Sequence, residues 1–144
     1  MRLFAFCMFI ALIAGSCSRG HSKEVIFTDK VAAPIGPYSQ AIRSGGTLFV
    51  SGQIALRADG SLDTSSIENE CRQSLTNISL ILEEAGMKID NVTKASIYLT
   101  DISNFKKVNE VYAEFFKDAP PARETVEVRK LPKGAHLEIS VIAR

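Results

Sequence analysis

The sequence predicts an α+β domain: a largely antiparallel sheet with two helices on one of its faces. Three observations predict it. Two segments carry apolar residues at helical spacing, five others read as strands, and they follow one another in the order β-β-α-β-α-β-β. With 144 residues, 46% of them hydrophobic and 23% charged, the chain has the size and composition of one ordinary globular unit.

Taken in order, Val25, Ile26 and Phe27 suggest a short strand, and residues 33–38 form a loop fixed by Pro34, Gly36 and Pro37. Residues 47–54 read as a strand, in which Gly52 marks a bulge or a close backbone approach. Over residues 66–85 Ile67, Cys71, Leu75, Ile78, Leu82 and Ala85 recur at helical spacing, with Thr64 or Ser65 able to cap and Gly86 to terminate. Residues 92–100 alternate, placing Ala95, Ile97 and Leu99 on one face. A second helix over 103–116 aligns Phe105, Val108, Tyr112 and Phe115 in one stripe. Two last strands, 123–129 and 136–143, are joined by residues 131–135.

The first residues differ from the rest. Met1 and Arg2 precede an uncharged apolar run over 3–14, then small residues up to Cys17, which is a signal-peptide layout. Twelve apolar residues are too few to span a membrane core, which takes about 20. The tetrad Ala14-Gly15-Ser16-Cys17 resembles a bacterial lipobox, in which the cysteine is acylated and becomes the new amino terminus; Ala14 and Ser16 also suit ordinary cleavage before Cys17. Either route exports the protein. The expected organisation is a signal peptide over 1–16, a lipid-anchored tether over 17–24 and a folded domain over 25–144. Cys71 is then left without a disulfide partner, since a bridge to Cys17 needs a long arm to fold back.

Residues 21–144 hold 15 basic and 16 acidic side chains, a balance of 15 − 16 = −1, so no phosphate-tracking surface and no nucleic-acid partner are expected. His21 and His136 have no Cys, His or Asp partner at ligand spacing and read as surface residues, so no metal is expected. Cys71, on the apolar stripe of the first helix, reads as a buried, inert thiol. Tyr112 and Phe115 read as core, and Ser51 has no histidine nearby in sequence to make it a nucleophile.

Period-two alternation in the last two strands separates Val126 and Val128 from Arg123, Thr125 and Glu127, and Leu137, Ile139 and Val141 from Glu138 and Ser140. If the apolar sets pack under the helices, Arg123, Thr125, Glu138 and Ser140 share the uncovered face, with Arg123 and Glu138 on neighbouring strands of a tight hairpin. A guanidinium there could grip a carboxylate in a bidentate, planar way, and the glutamate could move protons. On spacing alone, two opposite charges on one polar face are more often a structural or solvated ion pair.

Four segments go further: 33–41 (Ala-Pro-Ile-Gly-Pro-Tyr-Ser-Gln-Ala), 48–54 (Leu-Phe-Val-Ser-Gly-Gln-Ile), 120–128 around Pro120-Pro121-Ala122-Arg123, and 131–138 from Leu131-Pro132-Lys133-Gly134 to Glu138. In order and spacing they closely resemble the reactive-intermediate deaminase (RidA) family, and the resemblance covers essentially all of residues 24–144. It implies a chorismate-mutase-like fold and a homotrimer in which three sheets form a central barrel and active clefts lie between subunits. It further implies 2-iminobutanoate/2-iminopropanoate deaminase chemistry, the hydrolysis of small imino or enamino acids without metal or organic cofactor. By the same resemblance Arg123 holds the substrate carboxylate, Glu138 positions and activates water, and Tyr38, Ser51, Gly52 and Asn109 line the cleft. Thr125 stands where the family often has cysteine; a water held through its backbone carbonyl tolerates that exchange. The competing reading is a binding module that holds a small carboxylate in the same cleft without turnover.

Overall fold

The computed structural model describes residues 22–144; the expected signal segment 1–16, Cys17, His21 and most of the 17–24 tether lie outside the described residues. The elements are β1 (Glu24–Ile26), β2 (Ala41–Ser44), β3 (Thr47–Gln53), α1 (Ile67–Glu84), β4 (Val92–Leu99), α2 (Phe105–Phe115), β5 (Ala122–Glu127) and β6 (Leu137–Ala143). The strands form one sheet in the order β1-β2-β3-β6-β4-β5. Every pairing is antiparallel except β4 with β5, where α2 supplies the crossover that parallel neighbours require. The α+β expectation holds, with one strand more than the sequence reading contained. That strand, β2, turns into β3 through Gly45 and Gly46, both at positive φ, a two-glycine hairpin turn that the sequence displays openly.

Helix α1 is capped by Ser66, one residue past the expected caps; the Ser66 side chain accepts the Asn69 N–H at 3.1 Å. It ends as expected at Gly86. There the N–H groups of Gly86 and Met87 donate to the carbonyls of Glu83 and Leu82, which satisfies two end carbonyls in a Schellman arrangement. Its buried face, with Leu75, Ile78, Ile81 and Leu82, joins Val108, Val111, Tyr112 and Phe116 from the α2 region over Ala95, Ile97, Leu99, Leu137, Ile139 and Val141 of the sheet. The expected α2 stripe holds at Val108 and Tyr112, with Phe115 packed against the core; Val111 and Phe116 join it, and Phe105 is exposed. Cys71 is fully buried, and burial pushes its thiol up to about 12, which leaves it inert.

Two expectations about the last strands fail. β5 and β6 do not form a hairpin, because β4 lies between them. The alternating apolar residues of β6 are all buried, which suits a central strand, whereas the Arg-Glu-Thr-Val-Glu run of β5 takes the sheet edge, where charged side chains reach water. The second failure concerns direction. Arg123, Thr125 and Glu127 stand opposite Ala95, Ile97 and Leu99, on the helix-bearing face, while Val126 stands opposite Tyr98 on the open face. Glu138 and Ser140 do face the open side, opposite Tyr98 and Ser96.

His136 is more than a surface histidine. Its backbone N–H donates to Oε2 of Glu70 at 2.8 Å and its Nδ1 lies 2.6 Å from Oε1 of that carboxylate, which is fully buried. A buried carboxylate without such partners is strongly destabilising, so this pair fixes the start of β6 against the first turn of α1.

Candidate active site

β3 and β6 lose register between Val50 and Gln53, where three steps on β3 oppose two on β6. The resulting bulge falls at Ser51 and Gly52 and bends β3 away from its partner. Into that space folds the side chain of Glu138. A Cβ on Gly52 would lie 2.6 Å from Cδ and 3.0 Å from Cγ of Glu138, and closer still to Oε1. Only glycine leaves room for the carboxyl group, so both sequence expectations for this position, bulge and close approach, are met. Gln53 donates from Nε2 to the carbonyls of Ser51 and Gly52, at 3.1 and 3.3 Å.

The carboxyl opens onto a cleft of about 360 Å³ walled by Pro34, Ile35, Tyr38, Ser51, Gly52, Ile54, Leu56, Pro132 and Glu138. The loop that forms the far wall is pinned by the buried Gln40, whose amide donates to the carbonyls of Thr28 and Ala32 and accepts the Thr28 N–H. Buried Asn77 on α1 holds the opposite side by donating to the carbonyls of Ile54 and Leu56. Sequence reasoning missed both, because a polar residue at a core position looks like solvent-facing variation until its carbonyl partners are known. The Tyr38 hydroxyl accepts the Ile35 N–H at 3.2 Å, so the tyrosine both anchors its loop and lines the cleft. The Ser51 hydroxyl donates to the Ser39 carbonyl at 2.7 Å, which makes it a loop tie. Burial raises the pKa of Glu138 above the ordinary glutamate value. This favours a carboxyl group that can exchange a proton nearer to neutrality.

Arg123, Asn109 and Thr125 are gathered elsewhere. Arg123 donates from Nη2 to Asn109 Oδ1 at 2.7 Å, and its guanidinium carbon lies 4.7 Å from the Tyr112 ring centroid and 5.6 Å from that of Phe105. Thr125 follows on the same face, its hydroxyl oxygen buried without a hydrogen-bond partner among the described residues. Arg43, Arg57 and Arg72 are each paired with a carboxylate; Arg123 has none within reach among the described residues. The cleft at Glu138, in turn, is lined by no lysine or arginine among the described residues.

The structure therefore brings Tyr38, Ser51, Gly52 and Glu138 into one place and Arg123, Asn109 and Thr125 into another, on opposite faces of the sheet. Within one chain Arg123 and Glu138 do not share a pocket, which corrects the hairpin expectation. Each group contains one half of an acid-plus-cation pair. Among the described residues no three His, Cys, Asp or Glu side chains gather in a way that could hold a metal ion.

The family model described as Endoribonuclease L-PSP matches residues 28–144. A RutC family protein of Pyrococcus horikoshii is 49% identical over 122 residues, a stretch that covers 84% of this chain and 97% of the relative. The 2-iminobutanoate/2-iminopropanoate deaminase of Bos taurus is 43% identical over 122 residues, covering 84% and 89%. Among solved structures, YyfA of Yersinia pestis, of the Rid protein family, is similar with a TM-score of 0.82 and 48% identity over 85% of this chain and 98% of that one. The α+β architecture is the chorismate-mutase-like fold of such structures.

Proposed function

The chain belongs to the RidA/YjgF/L-PSP family, and from that premise we propose that it hydrolyses small 2-imino and 2-enamino acids to 2-oxo acids and ammonia, in clefts completed between subunits of a homotrimer. The observation that carries this reading is the complementarity of the two half-sites: a glutamate cleft without a cation, and an arginine without an acid. Association of copies supplies each with what it lacks. The open face of the sheet favours association, since Val25, Ile42, Phe49 and Ile142 stand in register across four strands, with Val25 62% and Phe49 46% exposed. An apolar row of that length on a sheet face is the kind of surface that three copies would bury in a central barrel.

In such a cleft the arginine of one subunit grips the substrate carboxylate and sets the imine carbon beside a water held at Glu138 of the next. An enamine first takes a proton at C3 to become the imine. Water adds to the imine carbon while Glu138 accepts its proton, and the nitrogen, protonated in turn, leaves as the carbinolamine collapses to the 2-oxo acid. The Thr125 carbonyl, on the edge strand, is offered as the second hold on the water. Purified protein is expected to accelerate ammonia release from freshly generated 2-iminobutanoate. Its kcat/KM should fall on the acid side with a midpoint above the ordinary glutamate value of 4.5, because Glu138 must be ionised to accept the proton and burial raises its pKa. Glu138→Gln should abolish both the rate and that acid limb. Carboxylate binding without any turnover would replace this reading with the binding module.

The same proposal places the enzyme outside the cytoplasm, cleaved before Cys17 and anchored there by lipid. Intact mass measurement of the protein from its native host is expected to show a chain starting at Cys17 and carrying acyl mass; an amino terminus at Met1 would refute export.

A further inference from the structure

We propose that Phe105, Asn109 and Tyr112 form a three-point clamp on α2 that positions Arg123 for a carboxylate ligand, a role that rests on the deaminase reading above. The three residues follow one another at i, i+4 and i+7 on α2, one stripe of the helix. Their environments differ in a way that core packing does not explain. Tyr112 is buried, Asn109 is half-buried, and Phe105 is 40% exposed, a large aromatic surface left in water at the helix start. What the stripe has in common is the guanidinium. Both ring centroids lie within about 6 Å of it, the range over which an aromatic face attracts a cation. Asn109 takes one N–H of Nη2, and among the described residues the other four guanidinium donors have no partner.

The chemical nature of the clamp matters as much as its geometry. A carboxylate in place of Asn109 would also fix the arginine, but it would neutralise the charge and occupy the fork that a substrate needs. An amide oxygen and two π faces hold the cation in place and leave its charge unspent. The Tyr112 hydroxyl has no partner among the described residues, so the ring face, not the hydroxyl, does the holding. An arginine held before the ligand arrives loses less side-chain freedom on binding, so the clamp should act on affinity and leave the chemical step alone.

The test is steady-state kinetics on 2-iminobutanoate together with NMR of the arginine side-chain Nε–Hε groups. Phe105→Leu should raise KM by about three- to tenfold, the size of one exposed to partly buried cation–π contact, with kcat within about twofold. Phe105→Tyr, which keeps an aromatic face, should leave KM at the value of the unaltered protein. The Arg123 Nε–Hε resonance, assigned by its loss in Arg123→Lys, should shift in Phe105→Leu and return in Phe105→Tyr. An unchanged KM, a fall in kcat at constant KM, or an unmoved resonance would each overturn the clamp. If the unaltered protein hydrolyses no imine but the resonance moves with Phe105, the deaminase reading falls and the clamp stands.

Discussion

Gly52→Ala is expected to give a folded protein that has lost its activity. Gly52 lies outside the left-handed region of backbone space, so alanine is conformationally allowed there; the three atoms nearest to its Cβ all belong to the Glu138 side chain. Those atoms form the flexible end of a glutamate, which can swing aside. The fold should therefore lose no more than about 1–3 kcal/mol, the range for a modest overpacking, as read by urea denaturation. The carboxyl group, however, cannot stay where it is. Displacing a proton acceptor by an ångström or more costs on the order of 100-fold in rate, so kcat should fall by at least that much. Gly52→Ala that folds and retains full activity would mean that the position of the Glu138 carboxyl is irrelevant to turnover.

A larger effect, and a sharper one, concerns the two half-sites. Arg123→Ala and Glu138→Ala should each reduce kcat/KM by on the order of 100-fold or more, since each removes a charged group that the buried substrate cannot replace. Unfolded together and refolded as a mixture, the two variants should recover about one quarter of the activity of unaltered protein treated the same way. The fraction follows from cyclic symmetry: an intact cleft needs the arginine of one copy and the glutamate of the next, and random assembly provides that at about one interface in four. Were both groups supplied by one chain, every cleft in the mixture would lack one of them. A mixture that stays inactive beside a recovered control would therefore sink the interfacial site.

The candidate site residues were legible because segments 33–41, 48–54, 120–128 and 131–138 carry glycines, prolines, an arginine and a glutamate in the order and spacing of the family they resemble. Gly52 was legible for a physical reason as well, since a glycine inside a strand pattern marks a bulge or a close approach, and here it marks both. The α2 stripe was misread at Phe105: an aromatic residue at helical spacing looks like core, yet Phe105 is exposed beside the Arg123 guanidinium, while Tyr112 is core as expected and also faces that cation. The buried acid Glu70 left no trace in the pattern, because its partners, the backbone and ring of His136, are 66 residues away.

By itself the sequence determined the elements other than β2, the class of fold and the face that β6 and β4 turn to the core, because each depends on neighbours along the chain and on a period of two or 3.6. Only the tertiary structure decided that β6 enters between β3 and β4, and that β5 lies at the edge with Arg123 on the helix side. The edge strand β5 has no fully buried residue, so its hydrophobic alternation carries little information about which way it points, and strand order is set by contacts between residues far apart in sequence. That placement separates Arg123 from Glu138 within the chain, and it is why a second copy enters the account of the site.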